Sequence, residues 1–182
     1  MALWKIDGSH SSATFSAKHM MVTTVRGTMR DISGTIDFDP ANPAAATVEV
    51  SVPTHNFDTG FADRDAHLRS PDFLNIAEFP AITFKSNRVD VTSDNEAKVH
   101  GDLSIRGTTK SVVLDVEFHG TAVGPWGGAP KAGFTGTTKI NRDDWGLNWN
   151  VALEAGGWLV GKDIKIELDV EAEQVLEEVP AV

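Results

Sequence analysis

Apolar and polar residues alternate along most of this 182-residue chain, which is the pattern of half-buried β-strands. In the segment ATFSAK (13–18), for example, every second residue is apolar. The alternation predicts about eight strands, at residues 12–20, 27–38, 46–53, 81–91, 97–106, 109–119, 131–140 and 162–173. Because short turn-forming segments join most neighbouring strands, we expect antiparallel pairing. The sequence therefore predicts an all-β protein.

Two all-β architectures fit such a set of strands. One is a sandwich of two sheets, and the other is an up-and-down barrel that closes its own edges. The chain shows no internal repeat of roughly 20–50 residues and no low-complexity linker. This predicts a single domain over residues 1–182, with an acidic tail at about 174–182.

Small residues recur at the positions that the alternation assigns to the inside of the protein. They are Ala13, Ala17, Gly34, Gly101 and either Ala132 or Gly136. An eight-stranded barrel either fills its interior with side chains or holds one small ligand there, so small inward residues favour a hollow barrel. The alternative is that these residues serve the twist and the bulges of the sheet.

One segment, residues 57–76, interrupts the strand pattern between the third and the fourth predicted strand. It is dense in charge, and Ser70-Pro71-Asp72 has the form of an N-cap followed by proline at the first helical position. The spacing predicts two short helices. In the first, Asp63–His67 and Asp65–Arg69 are spaced to pair across one turn. We expect a short helical insertion that lies over the barrel like a lid.

The composition excludes several classes of function. A formal net charge of −10 argues against binding to a nucleic-acid backbone and predicts at most transient contact with a membrane. The absence of cysteine excludes disulfides and thiolate metal sites. The amino terminus, MALWKIDGSH, lacks the pattern of a signal peptide. A full-length sequence would therefore be cytoplasmic, and one trimmed of its signal would be periplasmic or extracellular.

The sequence contains no familiar catalytic motif. It has no GxSxG elbow, and the adjacent Asp143 and Asp144 would point to opposite faces of a strand. His10 and His19 would lie roughly 30 Å apart in a continuous strand, too far to share a metal ion. We therefore predict no metal and no enzyme activity. The alternative is an enzyme that acts on a hydrophobic substrate with a polar centre near His67.

Six motifs in one order resemble a known family. They are WKIDGSHSSATFSAKHM, VRGTM, RDAHLRSPDF, FPAITFKS, VHGDLSIRGTTKSVVL and INRDDWGL. Together they resemble the YceI family of lipocalin-like, polyisoprenoid-binding bacterial proteins, from about Trp4 to Val170. The resemblance implies an eight-stranded antiparallel lipocalin-like barrel with the helical insertion beside its open end. Some members of the family are dimers, so a homodimer is compatible with it.

The resemblance also implies a function. The barrel would bind, carry or sequester a long-chain isoprenoid or similar amphiphile in an apolar pore, for example a quinone, a quinone precursor or a polyprenyl compound. No cofactor is predicted apart from such a bound isoprenoid lipid or quinone, and the partner is a hydrophobic small molecule.

We predict the ligand-binding residues from the inward strand positions and the insertion. They are Phe15, Ala17, His19, Ile32, Val50, Phe73, Phe79, Phe84, Leu103, Leu114 and Phe134, with Trp145 and Trp149 near one end. Arg64 and His67 are candidates for contact with a polar head group, since arginine pairs well with phosphate. The alternative is that Arg64 and Asp65 tie the insertion to neighbouring backbone while His67 forms a local hydrogen-bonding bridge.

Overall fold

The computed structural model describes residues 1–176, and most of this part of the chain is β-strand. The strands are β1 (Ala2–Ile6), β2 (Ser12–His19), β3 (Thr23–Met29), β4 (Ser33–Phe38), β5 (Thr47–Pro53), β6 (Phe57–Asp58), β7 (Ala81–Val91), β8 (Glu96–Ile105), β9 (Thr108–Ala122), β10 (Lys131–Asn141) and β11 (Asp163–Gln174). The α-helix α1 spans Ala62–Arg69, and two 3-10 turns span Pro43–Ala45 and Arg142–Trp145. Within residues 1–176, no helix has the length and apolar character needed to cross a membrane.

The strands form a closed antiparallel barrel. Around it the order is β1-β4-β5-β7-β8-β9-β10-β11, and β11 returns to pair with β1 through Ile6↔Ala172. Each of these neighbours is antiparallel. The predicted eight-stranded antiparallel barrel is confirmed, and the two-sheet alternative is wrong.

Two long stretches of strand are broken into consecutive segments, β1 with β2 and β3 with β4. β1 and β2 pair with successive lengths of β11, as Ile6↔Ala172 and Phe15↔Ile166 show. β3 and β4 divide the predicted strand 27–38, and the break contains Asp31 with φ 58°. The sequence prediction missed β1 because Leu3, half exposed on its outer face, blurs the alternation. It missed β6 because that strand has two residues.

The insertion between β6 and β7 contains one helix where two were predicted. Ser70 ends α1 instead of starting a second helix, since its N–H and hydroxyl both donate to the carbonyl of His67, at 3.1 and 2.7 Å. Residues 71–74 form turns. Pro71 explains why α1 ends here, because it disfavours helical backbone in the preceding residue, and Ser70 has an extended ψ of 169°. The same conformation suits an N-cap, but the chain after Pro71 continues only as turns.

The acidic tail predicted at about 174–182 falls largely outside the described residues. Its described part starts with Gln174, the last residue of β11, whose N–H donates to Pro130. Two apolar clusters fill parts of the barrel, one around Trp4 and Phe38 and the other around Phe84 and Trp145. Partly buried side chains such as Val50 pack against both clusters.

Candidate ligand-binding cavity

The interior of the barrel contains a cavity of about 700 Å³. Its volume lies within the range of roughly 300–1,000 Å³ typical of small-molecule sites. All the main strands of the wall contribute apolar side chains, such as Phe15 (β2), Ile36 (β4), Val50 (β5), Phe84 (β7), Leu103 (β8), Leu114 (β9), Phe134 (β10) and Ile166 (β11). The interior is therefore hollow and apolar.

The cavity extends along the barrel between two ends. The end that carries α1, the β2–β3 turn and residues 142–162 is called the α1 end here, and Lys18, Phe61 and Leu159 line it. The opposite end carries the turns 39–46, 92–95 and 123–130, and Pro40 and Asp94 line it. The lining therefore includes residues from both ends of the barrel.

Most of the predicted ligand-binding residues border the cavity. They are Phe15, Ala17, His19, Val50, Phe73, Phe84, Leu103, Leu114, Phe134 and Trp149, together with the head-group candidates Arg64 and His67. Of the small residues predicted to face inward, Ala13, Ala17 and Gly136 line it. The strand alternation thus assigned the inner face correctly at these positions.

Three predicted ligand contacts lie elsewhere. Ile32 is 1% exposed in the break before β4 and packs in the cluster around Trp4. Phe79 packs against Gly107 in the β8–β9 turn, with a ring atom 2.8 Å from where a Cβ of that residue would stand. Trp145 does not border the cavity; it is 3% exposed within the cluster around Phe84, and its Nε1 donates to the carbonyl of Leu103 at 3.0 Å. These assignments are corrected because each side chain is already packed outside the cavity.

The glycines at two predicted inward positions serve the sheet instead of the cavity. A Cβ on Gly34 would stand 2.1 Å from the carbonyl oxygen of Glu49, and one on Gly101 would stand 2.5 Å from that of Lys85. Both partners belong to the neighbouring strand, so close approach of the backbones requires glycine here. At these two positions the alternative interpretation, sheet geometry, is the correct one.

The charged side chains of α1 fix the insertion to the barrel. Arg64 donates from Nε to the hydroxyl of Thr59 at 2.8 Å and from Nη2 to its carbonyl at 2.7 Å. The carboxylate of Asp65 accepts from the N–H of Thr59 at 3.1 Å. Arg69 donates to the carbonyl of Phe57 at 3.0 Å and lies 4.6 Å above its ring. These contacts match the tethering alternative, and they replace the expected Asp65–Arg69 pair.

His67 lies at the α1 end of the cavity within an aromatic cluster. Its Nε2 is 2.8 Å from the Asp72 carboxylate, which replaces the expected Asp63 partner. Its ring packs edge-on against Trp149 at 4.5 Å and Phe73 at 5.0 Å. The side chain is 39% exposed, so it lies between the cavity and solvent. This position suits contact with the polar end of an amphiphile.

Arg142 is a cavity residue that the sequence analysis assigned only to a turn. Its side chain is 3% exposed, lines the cavity and donates to the carbonyls of Leu147, Gly161 (3.0 Å) and Val160 (3.3 Å). Burial lowers the pKa of the Arg142 guanidinium, while the adjacent Asp143 carboxylate raises it. Arg142 also belongs to the predicted turn, in which the Asn141 side chain accepts a hydrogen bond from the N–H of Asp143 at 3.0 Å. No pattern in a single sequence shows that an arginine beside two acids is buried.

A second polar cluster lies outside the barrel wall where β1, β2, β10 and β11 meet. His10 Nδ1 is 2.9 Å from the Asp7 carboxylate and 3.7 Å from that of Glu171. Such oxygen and nitrogen atoms are ordinary metal ligands. The Lys131 ammonium, however, lies 2.9 Å from Glu171 and 3.2 Å from Glu173 and supplies positive charge to the cluster. Hydrogen bonds from Ser9 and His10 hold the pKa of Asp7 below its usual value.

The fold and the cavity define a class of protein. An antiparallel barrel of eight strands, hollow and apolar inside, with a short helix at one end, is a lipocalin-like barrel. The chain belongs to the YceI-like domain family, whose model matches residues 4–172. A UPF0312 protein of Staphylococcus aureus (strain MSSA476) is 39% identical over 176 residues, which cover 94% of this chain and 97% of that protein.

Solved structures share the fold. The YCEI protein of Campylobacter jejuni is 31% identical, with a TM-score of 0.72 over 88% of this chain and 90% of that one. A polyisoprenoid binding domain from Saccharophagus degradans is 14% identical, with a TM-score of 0.70 over 96% of this chain and 100% of that one. The resemblance seen in the sequence motifs is therefore confirmed.

Proposed function

We propose that this protein binds, carries or sequesters a long-chain isoprenoid or similar amphiphilic lipid in the barrel cavity, without transforming it. The observation that carries the proposal is the cavity of about 700 Å³ with its apolar wall. An apolar space of this size destabilises a fold unless a guest fills it, because the wall atoms lack packing partners. A polyisoprenoid binding domain from Saccharophagus degradans shares this fold, which supports a ligand of that class.

The apolar chain of the ligand supplies affinity against water but little against a membrane. Each buried methylene gains about 0.8 kcal/mol relative to water. A bilayer interior is as apolar as the cavity, so this gain largely cancels when the ligand comes from a membrane. Selectivity then depends on the fit of the cavity and on polar contacts with the head group.

The basic side chains of the lining lie at the α1 end, whereas the acidic Asp94 and Glu96 line the opposite end, so we place the head group at the α1 end. His67 and the buried Arg142 both line the cavity there, and their separate contacts with Phe73 bring them to one neighbourhood. Arg64 lines the same end, although two of its donors already serve Thr59. A hydroxyl, quinone carbonyl or phosphate is the kind of group that these donors recognise.

Organic extraction of the purified protein followed by mass spectrometry tests the proposal. Leu114 and Val113 are adjacent in β9, with Leu114 buried at the cavity and Val113 39% exposed on the outer face. We expect Leu114→Trp to narrow the cavity and lower the amount of extracted lipid, and Val113→Trp to leave that amount unchanged. An unchanged lipid load in Leu114→Trp, with the variant folded by circular dichroism, would refute binding in this cavity.

A further inference from the structure

Two turns at the α1 end expose large apolar side chains beside each other. The β2–β3 turn presents Met20, Met21 and Val22, which are 44%, 61% and 81% exposed. The neighbouring hairpin 150–160 presents Val151 and Trp158, 47% and 45% exposed. These five residues are called the apolar rim here. Single exposed apolar side chains are common on proteins, but a contiguous group of them usually marks an interaction site.

The backbone of the β2–β3 turn makes its methionines unusual. Met20 and Met21 have φ values of 51° and 64°, and the N–H of Val22 donates to the carbonyl of His19 at 3.1 Å. These are features of a type I′ turn, which favours Asn-Gly because left-handed backbone strains larger residues. Two methionines here carry strain without compensating burial. Strain kept at an exposed position points to a function for the side chains.

The apolar rim borders the α1 end of the cavity, which we take as the entrance for a ligand. The N–H of Met20 donates to the carbonyl of Leu159 at 2.9 Å, and His19 forms a β-bridge with Val160. His19, Leu159 and Val160 all line the cavity. The two turns are therefore held together at the point where a ligand would enter or leave. A partner seated on the rim would lie directly over this entrance.

We propose that the apolar rim docks on the surface of a phospholipid bilayer, so that a lipid passes between bilayer and cavity without crossing water. This function rests on the proposed binding of a lipid in the cavity, although the docking itself does not need a bound lipid. The docking is transient, because a few apolar side chains on a chain of net charge −10 give weak attachment.

The chemistry of the rim favours a bilayer over a protein partner. Tryptophan suits the boundary between head groups and acyl chains, since its ring is apolar and its N–H is polar. Exposed Lys18 neighbours the β2–β3 turn and places a cation beside the apolar residues, where a lipid phosphate would stand. The Lys162 ammonium lies 5.9 Å from the Trp158 ring but is paired with the Asp143 carboxylate at 2.6 Å, and Glu154 is exposed in the same hairpin. Flexible methionines adapt to an irregular surface. Two projecting turns insert between lipids more readily than they form a flat protein interface.

Binding of the full chain to phosphatidylcholine vesicles, measured by co-sedimentation, tests the proposal. The double variant Met20→Asn/Met21→Gly places the favoured type I′ pair in the turn, so we expect an unchanged or higher Tm. Loss of two apolar side chains should weaken vesicle binding at least about tenfold. Trp126→Ser is the matched control, because Trp126 is 96% exposed in the loop 123–130 at the opposite end of the barrel. We expect it to bind vesicles like the natural protein.

Tryptophan fluorescence with brominated phosphatidylcholine vesicles locates the contact. We expect bromine quenching that Trp158→Phe reduces and Trp126→Phe leaves unchanged. The proposal is overturned if the double variant binds vesicles as the natural protein does, or if Trp126→Phe is the change that removes quenching. It is also overturned if the natural protein is a dimer that the double variant dissociates and neither protein binds vesicles, since the rim would then be a contact between two copies.

The same measurements separate this proposal from the proposed ligand binding. Leu114→Trp changes the cavity but not the rim, so it should keep vesicle binding while the amount of extracted lipid falls. Unchanged vesicle binding in Met20→Asn/Met21→Gly would end the docking proposal and leave the lipid load as evidence for the cavity. An absent lipid load with intact, rim-dependent vesicle binding would end the cavity proposal alone.

Discussion

The indole Nε1 of Trp145 donates a 3.0 Å hydrogen bond to the backbone carbonyl of Leu103. Both residues are buried, at 3% and 8% exposure, and belong to the same apolar cluster, in which Leu103 borders the cavity and Trp145 does not. The indole thus ties the 3-10 turn after β10 to the carboxyl-terminal part of β8, across 42 positions of sequence. The bond braces the wall of the cavity at the end where the head group is proposed to lie.

Replacing Trp145 with phenylalanine tests this brace. Trp145→Phe removes the donor and leaves the buried Leu103 carbonyl without it, which we expect to cost about 1–3 kcal/mol of unfolding free energy, with a further loss from the smaller ring. Urea denaturation followed by circular dichroism measures the change. Trp126→Phe is the control, since Trp126 is 96% exposed and should leave stability within about 0.5 kcal/mol. Equal stability of the two variants would contradict the role given to the hydrogen bond.

The glycine of β4 is expected to be intolerant of a methyl group. Gly34 has φ 151°, and a Cβ there would stand 2.1 Å from the Glu49 carbonyl oxygen. Gly34→Ala should therefore lower the unfolding free energy by at least about 1–3 kcal/mol, the usual cost of a strained backbone position. Thermal or urea unfolding measures this loss.

Gly136 is the matched control for that substitution. It also lies within a barrel strand, but the nearest atom to its Cβ position is Leu168 Cδ1 at 3.4 Å, an ordinary contact. We expect Gly136→Ala to stay within about 0.5 kcal/mol of the natural protein. A Gly34→Ala variant as stable as Gly136→Ala would show that β4 and β5 can move apart at no cost.

The two glycines also show what the sequence could and could not predict. Alternation identified the strands and the inward face, because burial of one face is a local pattern of period two. It treated Gly34 and Gly136 alike, although one borders a neighbouring backbone and the other borders the cavity. That difference depends on how closely adjacent strands approach. The pairing of distant segments sets this distance, and a single sequence does not record it.

The insertion was predicted less well than the barrel. Its charge pattern located a helix, but Asp65 binds Thr59 and Arg69 binds the Phe57 carbonyl, so the helix pairs with β6 and the residue that follows it, and not with itself. Arg142 was assigned to a turn because its burial depends on three carbonyls of residues 147–161, which no local pattern places near it. The single domain, the location and the homodimer remain predictions.

The role of His67 distinguishes a lipid binder from an enzyme. In a binder, His67→Ala removes one polar contact with the ligand. The affinity for a quinone with a short isoprenoid tail should then fall about 3- to 30-fold, which is the range between losing a neutral hydrogen bond and losing a charge-assisted hydrogen bond. The quinone should be recovered unchanged from both proteins. Fluorescence titration measures affinity, and mass spectrometry measures the recovered compound. Asp72→Asn is the control, because it keeps the imidazole ring of His67 and changes only the carboxylate that lies 2.8 Å from His67 Nε2.

An enzyme would give a different result in that experiment. The natural protein would convert the quinone to a species of new mass, and His67→Ala would abolish the conversion. Such a result would contradict the proposal of binding without transformation and support a polar catalytic centre near His67.

The cluster of Asp7, His10, Glu171 and Lys131 lies where β1, β2, β10 and β11 meet, a place called the seam here. It makes the free energy of unfolding depend on pH. The hydrogen bond and charge of Asp7, and the charge of Glu171, raise the pKa of His10 above its usual value, while Lys131 lowers it. A raised folded pKa means that protonated His10 favours the fold. This stabilisation is complete below the unfolded pKa of about 6.5 and is lost as pH rises through the folded pKa. Asp7 has the opposite sign, because its folded pKa is lowered and its stabilisation is lost as pH falls below about 4.

We therefore expect the unfolding free energy to decline as pH rises above about 6.5, and His10→Gln to remove that part of the decline. Urea denaturation at a series of pH values from about 5 to 9 measures it, and the difference between variant and natural protein isolates His10 from the other titrating groups. His119→Gln is the control, because His119 is an exposed histidine on β9, where its Nδ1 lies 4.0 Å from Glu117 and outside the cluster of Asp7, His10 and Glu171. Parallel pH profiles for His10→Gln and the natural protein would mean that Lys131, bound to Glu171 and Glu173, holds the seam without help from His10.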